Sequence, residues 1–298
     1  MGRIVLVDKP KGITSFDVCF KMRKIFGTKK IGHTGTLDPN ATGLMMILVD
    51  NATKANQFLV SATKEYIATV KIGIKTDTDD IDGNIIESKN EVMPSRDIIE
   101  ETLKSFLGKS KQIPPMTSAI KVDGKKLLEY KRKGETVDIK ARDIEVFDIE
   151  LLDITTDCFV FRCKVSSGTY IRTLAQDTLT KMGIIGTCSE LRRTKIDDFS
   201  VDDAYTIEKI NEGSFKELSM YDVLSKYYPV VQVNNRNDVI NGKGLKLDLD
   251  FDKILCVDNK EVLAIYQKED IYRCVRGLLW YKRLYLMRMS KLKETLPV

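Results

Sequence analysis

The single histidine of this 298-residue chain lies five residues before an aspartate, in the stretch KKIGHTGTLDPNATGL at residues 29–44. Three glycines and Pro39 bracket His33 and Asp38, which disfavours both a regular helix and a regular strand. The sequence therefore predicts a shaped loop, and a loop that carries an imidazole and a carboxylate is a candidate catalytic site. The alternative is that Asp38 only starts a turn with Pro39.

A phenol and a guanidinium form a second candidate group, two residues apart in SGTYIR at residues 167–172. Tyr170 and Arg172 lie where a predicted strand is followed by a predicted helix. An arginine at such a junction can hold a carboxylate ionised and fix its rotamer through a bidentate contact. An ordinary surface arginine beside a core tyrosine is the alternative, and both interpretations stay open on these residues alone.

Spacing excludes several other kinds of site. Residues 27–34 approach a phosphate-binding P-loop, but His33 stands where the lysine belongs, and no G-x-G-x-x-G sequence follows a predicted strand. The six cysteines include no C-x-x-C pair, so neither a zinc site nor a disulfide framework is expected. Residues 76–83 fail as a calcium loop because Lys89 replaces the bidentate glutamate, which leaves a solvated hairpin connection as the prediction.

Positive charge is concentrated in two segments although the net charge is only +5. Residues 121–142 hold eight basic and four acidic side chains, and residues 276–293 hold six basic and no acidic ones. Aromatic rings at Trp280, Tyr281 and Tyr285 alternate with these cations, a combination that can stack on bases and neutralise phosphates. The pattern favours one positive face for nucleic acid, with a solvated charged surface as the alternative. The candidate RNA-contacting residues are Lys125, Lys126, Lys131, Arg192, Arg193, Lys282, Arg283 and Arg288.

Helices and hairpins are mixed along the chain. Apolar runs and alternating patterns predict strands at residues 4–7, 44–49, 65–73, 144–155 and 159–166. Helices are predicted after Thr14 or Ser15, over 52–62, from Ser95 to Gly108, over 125–133 and over 169–182. Strict βαβ alternation is missing, which indicates an α+β fold on a mixed, mostly antiparallel sheet. Short strands beyond Pro229 predict a small β domain, so the expected domains are residues 1–228 and 229–298.

Seven motifs resemble, in order, those of the TruB-type tRNA pseudouridine synthases. They are DKPKGITS (8–15), GHTGTLDPNATG (32–43), KEY (64–66), TDTDDIDG (76–83), PPMTSAIKVDGKKLLEY (114–130), GTYIRTLAQD (168–177) and LRRT (191–194). The resemblance covers about the first 195 residues and implies a pseudouridine-synthase core with a deep RNA cleft. The last 70 residues resemble, less specifically, a small PUA-like RNA-binding β domain.

The resemblance implies that the chain isomerises uridine to pseudouridine at position 55 in the T loop of tRNAs. The uracil leaves the ribose through nitrogen, turns over and rejoins through carbon, which requires no cofactor and no metal. The target nucleotide has to be flipped out of the folded loop before its glycosidic bond can be reached. Attack of the catalytic carboxylate on ribose, its addition to the uracil ring and a glycal route stay open as alternatives.

The same likeness assigns roles to individual residues. Asp38 is the implied catalytic aspartate, Arg172 pairs with it, and Tyr66 stacks on the target base and can act as a base. His33 takes the place of the extruded nucleotide or stacks beside it, while Lys9 with Pro10 supports the loop. The residues implied in substrate binding are His33, Tyr66, Tyr170, Leu191, Lys9 and Pro10.

The expected partner is tRNA, bound through its T stem-loop by a monomer without an obligate protein partner. No apolar run reaches membrane-spanning length and no signal-peptide pattern is found, which predicts a cytoplasmic protein without membrane association. Two alternatives are a tRNA-folding chaperone without catalysis and a guide-RNA-dependent synthase that needs partner proteins. The complete set of Asp38, Tyr66 and Arg172 favours an active enzyme.

Overall fold

The computed structural model describes residues 2–59, 63–118 and 120–279, and within these ranges the chain is an α+β protein built on one large sheet. The ten strands of this sheet include eight in the order β14-β1-β3-β12-β4-β11-β10-β7, with β2 beside β3 and β13 beside β12. The strands are β1 Arg3–Lys9, β2 Ile31–His33, β3 Thr42–Val49, β4 Lys64–Ile72, β5 Ile74–Thr76, β6 Ile85–Ser88, β7 Gly108–Gln112, β8 Lys121–Val122, β9 Lys125–Lys126, β10 Arg142–Ile154, β11 Cys158–Val165, β12 Gly186–Ile196, β13 Phe199–Ser200, β14 Leu218–Ser219, β15 Val230–Gln232, β16 Lys253–Asp258, β17 Glu261–Lys268 and β18 Tyr272–Gly277. The helices are α1 Ser15–Phe26, α2 Arg96–Lys104, α3 Leu127–Arg132, α4 Ile171–Met182, α5 Ile207–Asn211, α6 Met220–Leu224 and α7 Arg236–Ile240, with 3-10 helices at Asp50–Phe58 and Val201–Asp203.

The large sheet is mixed and mostly antiparallel, which confirms the predicted fold class. Its one parallel pairing among the described residues joins β12 to β3, and every other pair in the sheet is antiparallel. A separate sheet of four strands, β15-β16-β17-β18, forms near the C-terminal end of the described chain. None of the helices in the described ranges combines the length and apolar character needed to cross a membrane.

Each face of the large sheet buries a different hydrophobic cluster. On one face, residues of β3, β4 and β11 pack against apolar side chains of α1, α2, α4 and α5. On the other face, Leu44, Met46 and Leu48 of β3 share a cluster with Leu255 of β16 and Ile265 of β17. The C-terminal sheet therefore packs against the large sheet. The division of the chain at residues 228 and 229 stays a prediction.

The region expected to be a loop is shorter than the sequence indicates. Residues 31–33 form β2, and Thr42 and Gly43 begin β3, so only residues 34–41 connect the two strands. Gly43 has φ +104°, and a Cβ atom on it would lie 2.2 Å from the carbonyl oxygen of Arg193. Glycine is therefore required here because β3 and β12 approach closely, and not because the chain turns.

Three other elements differ from the prediction. The helix expected over residues 52–62 is a 3-10 helix at Asp50–Phe58, and Ala62 lies outside the described residues. Helix α2 ends at Lys104, so Gly108 begins β7 and does not end the helix. Strand β12, which lies between β3 and β4 in the centre of the sheet, was not predicted at all.

Candidate active site

The loop between β2 and β3 presents Asp38, and hydrogen bonds on both sides of this residue hold the loop in place. On one side, Ser15 Oγ donates to Leu37 O at 2.9 Å and accepts from Leu37 N at 2.8 Å. On the other side, Gly12 N donates to Pro39 O at 2.9 Å. Because these contacts come from the turn before α1 and from its first residue, the N-terminal segment fixes the backbone that carries the carboxylate.

The side chain of Lys9 also holds this loop in place. It is fully buried, and Nζ donates to the carbonyl oxygens of Pro39, Pro10 and Ile13 at 3.0, 2.9 and 2.7 Å. Burial lowers the pKa of the Lys9 ammonium to about 8. These contacts agree with the predicted role of Lys9 in supporting the loop, and its part in substrate binding stays a prediction. Pro10 is exposed.

The start of helix α1 positions Ser15 for its hydrogen bonds to Leu37. Thr14 is the N-cap and forms a capping box with Asp17, in which each side chain bonds to the backbone of the other residue. This box fixes the first turn of the helix and with it the hydroxyl of Ser15. A buried serine at this position is therefore held in register with Leu37, directly before Asp38.

Arg172, the second residue of α4, lies against Asp38. Its Nε donates to Asp38 Oδ2 at 2.9 Å, and its Nη1 donates to Thr78 O at 2.7 Å and to Thr117 Oγ1 at 2.6 Å. The Arg172 side chain is 5 % exposed, whereas that of Asp38 is 36 % exposed. Arg172 thus holds one carboxylate oxygen, Oδ2, of a partly exposed Asp38 side chain.

Asp38 and Arg172 line a small cleft that is open to solvent. Leu191, predicted to line the pocket, also lies on its wall. The complete lining is Asp38, Asn40, Ala41, Asp80, Arg172, Cys188, Ser189, Glu190 and Leu191. The structure thus brings three of the predicted site residues together around one opening.

Asp80 is a site residue that the sequence interpretation missed. It was placed in a solvated hairpin connection, but its side chain is 19 % exposed and Oδ2 lies 3.7 Å from Arg172 Nη1. Thr78 and Asp80 belong to the TDTDDIDG motif, and Thr117 belongs to the motif at 114–130. Both motifs contact the same guanidinium, although their spacing along the sequence does not show that they meet.

The two predicted tyrosines, Tyr66 and Tyr170, are not among the residues that line the cleft. Tyr170 is half-buried, and its backbone exchanges two hydrogen bonds with the amide of Gln112, at 2.8 and 3.0 Å. Burial raises the pKa of the Tyr170 phenol. Tyr66 is 7 % exposed, lies in the cluster beneath the helices, and pairs in register with Arg193. Stacking of Tyr66 on a flipped base stays a prediction.

His33, the last residue of β2, is half-buried at the start of the catalytic loop. Its Nδ1 is buried and has no hydrogen-bond partner among the described residues. Burial, and next the nearby charge of Arg193, lower the pKa of the imidazole below its usual range. At neutral pH the ring is therefore uncharged, and the proposed stacking role requires no charge.

The predicted RNA-contacting residues fall into three groups. Arg193 is 1 % exposed and donates to Leu44 O and Gly35 O at 2.6 and 3.1 Å, so its prediction as a surface residue is wrong: the guanidinium satisfies carbonyls of the catalytic loop and β3. Arg192 is partly exposed and pairs with Asp8 at 2.8 Å. Lys125 and Lys126 are exposed on β9, and Lys131 donates to Asp77 O. The predicted residues Trp280, Tyr281, Lys282, Arg283, Tyr285 and Arg288 lie outside the described residues.

A basic cluster that the sequence did not reveal lies where the C-terminal sheet meets the large sheet. Lys54, on the 3-10 helix, donates from Nζ to Leu279 O at 2.7 Å. Burial lowers the pKa of its ammonium, and the charges of Arg276 on β18 and Lys30 before β2 lower it further. Three cations held close together favour the binding of an anion.

Comparisons with known proteins show which family the chain resembles. Residues 23–171 match the N-terminal domain of the TruB family of pseudouridylate synthases. Relatives named tRNA pseudouridine synthase B include that of Alkaliphilus oremlandii, 41 % identical over 90 % of this chain and 91 % of its own length. Another, from Oceanobacillus iheyensis, is 40 % identical over 90 % of this chain and 93 % of its own length.

A chain from the crystal structure of a Cbf5–Nop10–Gar1 complex resembles the whole fold. The TM-score is 0.69 at 24 % identity, and the match covers 93 % of this chain and 85 % of the other. A second match, with a TM-score of 0.68 at 22 % identity, is a chain from an H/ACA RNP bound to a substrate RNA containing 2'-deoxyuridine, and it covers 94 % of this chain and 86 % of the other. The likeness shows that the fold is shared, and the family match over residues 23–171 supports the predicted pseudouridine-synthase core.

Proposed function

Because this chain belongs to the TruB family of pseudouridylate synthases and is an isomerase that acts on tRNA, we propose that its target is the uridine at position 55 in the T loop. The observation that carries the proposal is the Asp38 carboxylate, which lines the cleft and is held on one oxygen by Arg172. The T loop then enters over the catalytic loop, and the target nucleotide is flipped into the cleft.

The isomerisation exchanges one bond for another. The bond between ribose C1' and uracil N1 breaks, the base turns, and a bond between C1' and C5 forms. The proton on C5 leaves, and N1 takes up a proton, so that the net composition is unchanged. Asp38 is proposed to act by attack on C1', by addition to the uracil ring or by assisting a glycal intermediate.

Arg172 is proposed to hold the Asp38 carboxylate in position and orientation for the reaction. Its three hydrogen bonds fix the guanidinium, and the buried position strengthens the contact with Asp38 because little water competes for it. Leu191 then supplies an apolar wall for the flipped uracil, with Tyr66 and Tyr170 as its neighbours. His33 is proposed to occupy the space that the extruded nucleotide leaves.

Binding of the tRNA backbone is proposed to use the basic cluster of Lys30, Lys54 and Arg276. A phosphate placed beside Lys54 would stabilise an ammonium whose pKa is lowered first by burial and then by the charges of Arg276 and Lys30. Lys125, Lys126 and Lys131 are proposed as a second contact with the RNA. A tRNA-folding role without catalysis would use the same cationic surfaces and would require only RNA binding.

Purified protein alone, incubated with an unmodified T-arm hairpin, tests the function. We expect pseudouridine at position 55 and at no other uridine of the hairpin. A matched hairpin with cytidine at that position serves as the control for site specificity. Absence of product from the protein alone, with product restored by a guide RNA and partner proteins, would contradict the proposal.

A further inference from the structure

The outward side of α1 carries two exposed aromatic rings. Phe16 and Phe20 are 63 % and 48 % exposed, although α1 buries Val18, Cys19 and Met22 on its other side. Residues spaced by three or four along a helix lie on the same side, so Phe16, Phe20, Arg23 and Lys24 form one stripe. We call these four residues the α1 aromatic face.

A cation lies over each of the two rings. The guanidinium carbon of Arg23 lies 5.5 Å from the ring centre of Phe16, and Lys24 Nζ lies 4.8 Å from that of Phe20. Residues 11–30 contain six basic side chains and one acidic one, Asp17. The Asp17 carboxylate is occupied by the capping box of α1. The α1 aromatic face is therefore part of a surface that is positive and apolar at once.

This surface is continuous with the mouth of the catalytic loop. Pro39, next to Asp38, is exposed, and its carbonyl oxygen accepts from Gly12 N in the exposed turn that precedes α1. Phe16 directly follows Ser15, whose hydroxyl bonds to Leu37. A chain that leaves the cleft across Pro39 and Gly12 reaches Phe16 next.

We propose that the α1 aromatic face binds unstacked bases of the substrate RNA, with Phe16 and Phe20 stacking on the bases and Arg23 and Lys24 neutralising phosphates. The proposal rests on the proposed function, since it takes the same RNA as substrate. Rings combined with cations are the chemistry by which proteins hold single-stranded nucleic acid. Six cations with one acid complement a polyanion, so the charge favours RNA over a protein partner of mixed charge.

The test replaces both rings and keeps their apolar bulk. Phe16→Leu combined with Phe20→Leu removes the flat faces, and the affinity for a T-arm hairpin and for a full tRNA transcript is measured by filter binding. We expect the Kd for at least one of the two RNAs to rise at least about fivefold for each ring that stacks. The single-turnover rate at saturating RNA should stay within about twofold, because Asp38 and Arg172 are untouched.

Phe147→Leu combined with Phe251→Leu is the matched control, since these rings are 45 % and 46 % exposed on other surfaces. Arg23→Gln with Lys24→Gln should in addition make the slope of log affinity against log salt shallower by roughly 0.7 for each phosphate that is no longer neutralised. If the parent enzyme is active and the Phe16→Leu/Phe20→Leu variant binds both RNAs with unchanged Kd values, the proposed role of α1 is overturned but the proposed function is not. A parent that neither binds the hairpin nor forms pseudouridine overturns the proposed function as well.

Discussion

Replacing Arg172 by lysine keeps a positive charge beside Asp38 but removes the planar fork through which arginine binds three acceptors at once. In the structure these acceptors are Asp38 Oδ2, Thr78 O and Thr117 Oγ1, at 2.9, 2.7 and 2.6 Å. A single ammonium cannot donate along both arms of the fork from a side chain that is 5 % exposed. The lysine in Arg172→Lys should therefore lack either the hydrogen bond to Asp38 or the hydrogen bonds to Thr78 and Thr117.

The magnitude follows from the kind of bond that is removed. A hydrogen bond to a charged group contributes roughly 1.5 to 3 kcal/mol. If that contribution is present in the transition state, the single-turnover rate should fall by a factor of roughly 10 to 150. A buried acceptor left unpaired, such as Thr78 O, should also lower the free energy of unfolding by about 1 to 3 kcal/mol.

Rate and stability are separated by two measurements on the same preparations. Pseudouridine formed in a single turnover at saturating T-arm hairpin gives the rate, and urea unfolding gives the stability. Arg236→Lys is the matched control, because Arg236 pairs with Asp258 and Glu261 at 2.9 and 2.6 Å but is 39 % exposed, and such pairs contribute about 1 kcal/mol or less. An Arg172→Lys enzyme as fast as its parent would refute the pairing as a requirement of catalysis.

Three further substitutions test the loop, the histidine and the basic cluster. Ser15→Ala leaves Leu37 N and O without partners and should lower the free energy of unfolding by about 2 kcal/mol. The single-turnover rate should fall more than the RNA affinity. Equal losses of rate and affinity would contradict the role of Ser15 in holding the loop that carries Asp38. His33→Gln should flatten the dependence of stability on pH between about 7 and 5.5. The pKa of the folded imidazole lies below that of the unfolded one, so the unfolded chain takes up the proton first and the parent loses stability as the pH falls. A parent stability curve that is already flat in this range would contradict the prediction. Lys54→Glu and Arg276→Glu should each weaken tRNA binding and make its salt dependence shallower, whereas affinities equal to the parent's would exclude the cluster from the interface.

The sequence was most informative where chemistry and backbone requirements coincide. The lone histidine, Asp38 and the flanking glycines marked the catalytic loop, and hydrophobic patterns indicated β3, β4, β10 and β11 within a few residues. The four C-terminal strands also lie where short apolar runs predicted them. These features depend on local spacing, which a single sequence displays directly.

Contacts between distant segments could not be read in the same way. Arg172 lies 94 residues from Thr78 and 55 from Thr117, so nothing in the spacing showed that they meet. Strand β12 was missed because its charged residues have partners that are far away in sequence. Arg192 pairs with Asp8 across 184 residues, and Arg193 satisfies Leu44 O across 149. A strand that carries two adjacent arginines resembles a surface segment until its partners are known.

Because the C-terminal sheet packs against the large sheet, its contribution to RNA binding should be measured in the intact chain. Truncation near Tyr228 would uncover Leu44, Met46 and Leu48 of β3, because these residues share a buried cluster with β16 and β17. Inactivity of a truncated chain would then reflect exposed apolar surface as much as weaker RNA binding. Charge substitutions in the intact chain avoid this ambiguity.

Asp38→Asn is the most direct test of the proposed catalysis. The amide keeps the shape of the side chain and a hydrogen-bonding oxygen for Arg172 but removes the charge that the reaction requires. The variant should unfold cooperatively, bind a T-arm hairpin with a Kd within about twofold of the parent's, and form no pseudouridine in single-turnover assays. Asp248→Asn, which changes an exposed carboxylate remote from the described cleft, should match the parent in all three measurements. Formation of pseudouridine by Asp38→Asn within about tenfold of the parent rate would contradict the assignment of Asp38 as the catalytic residue.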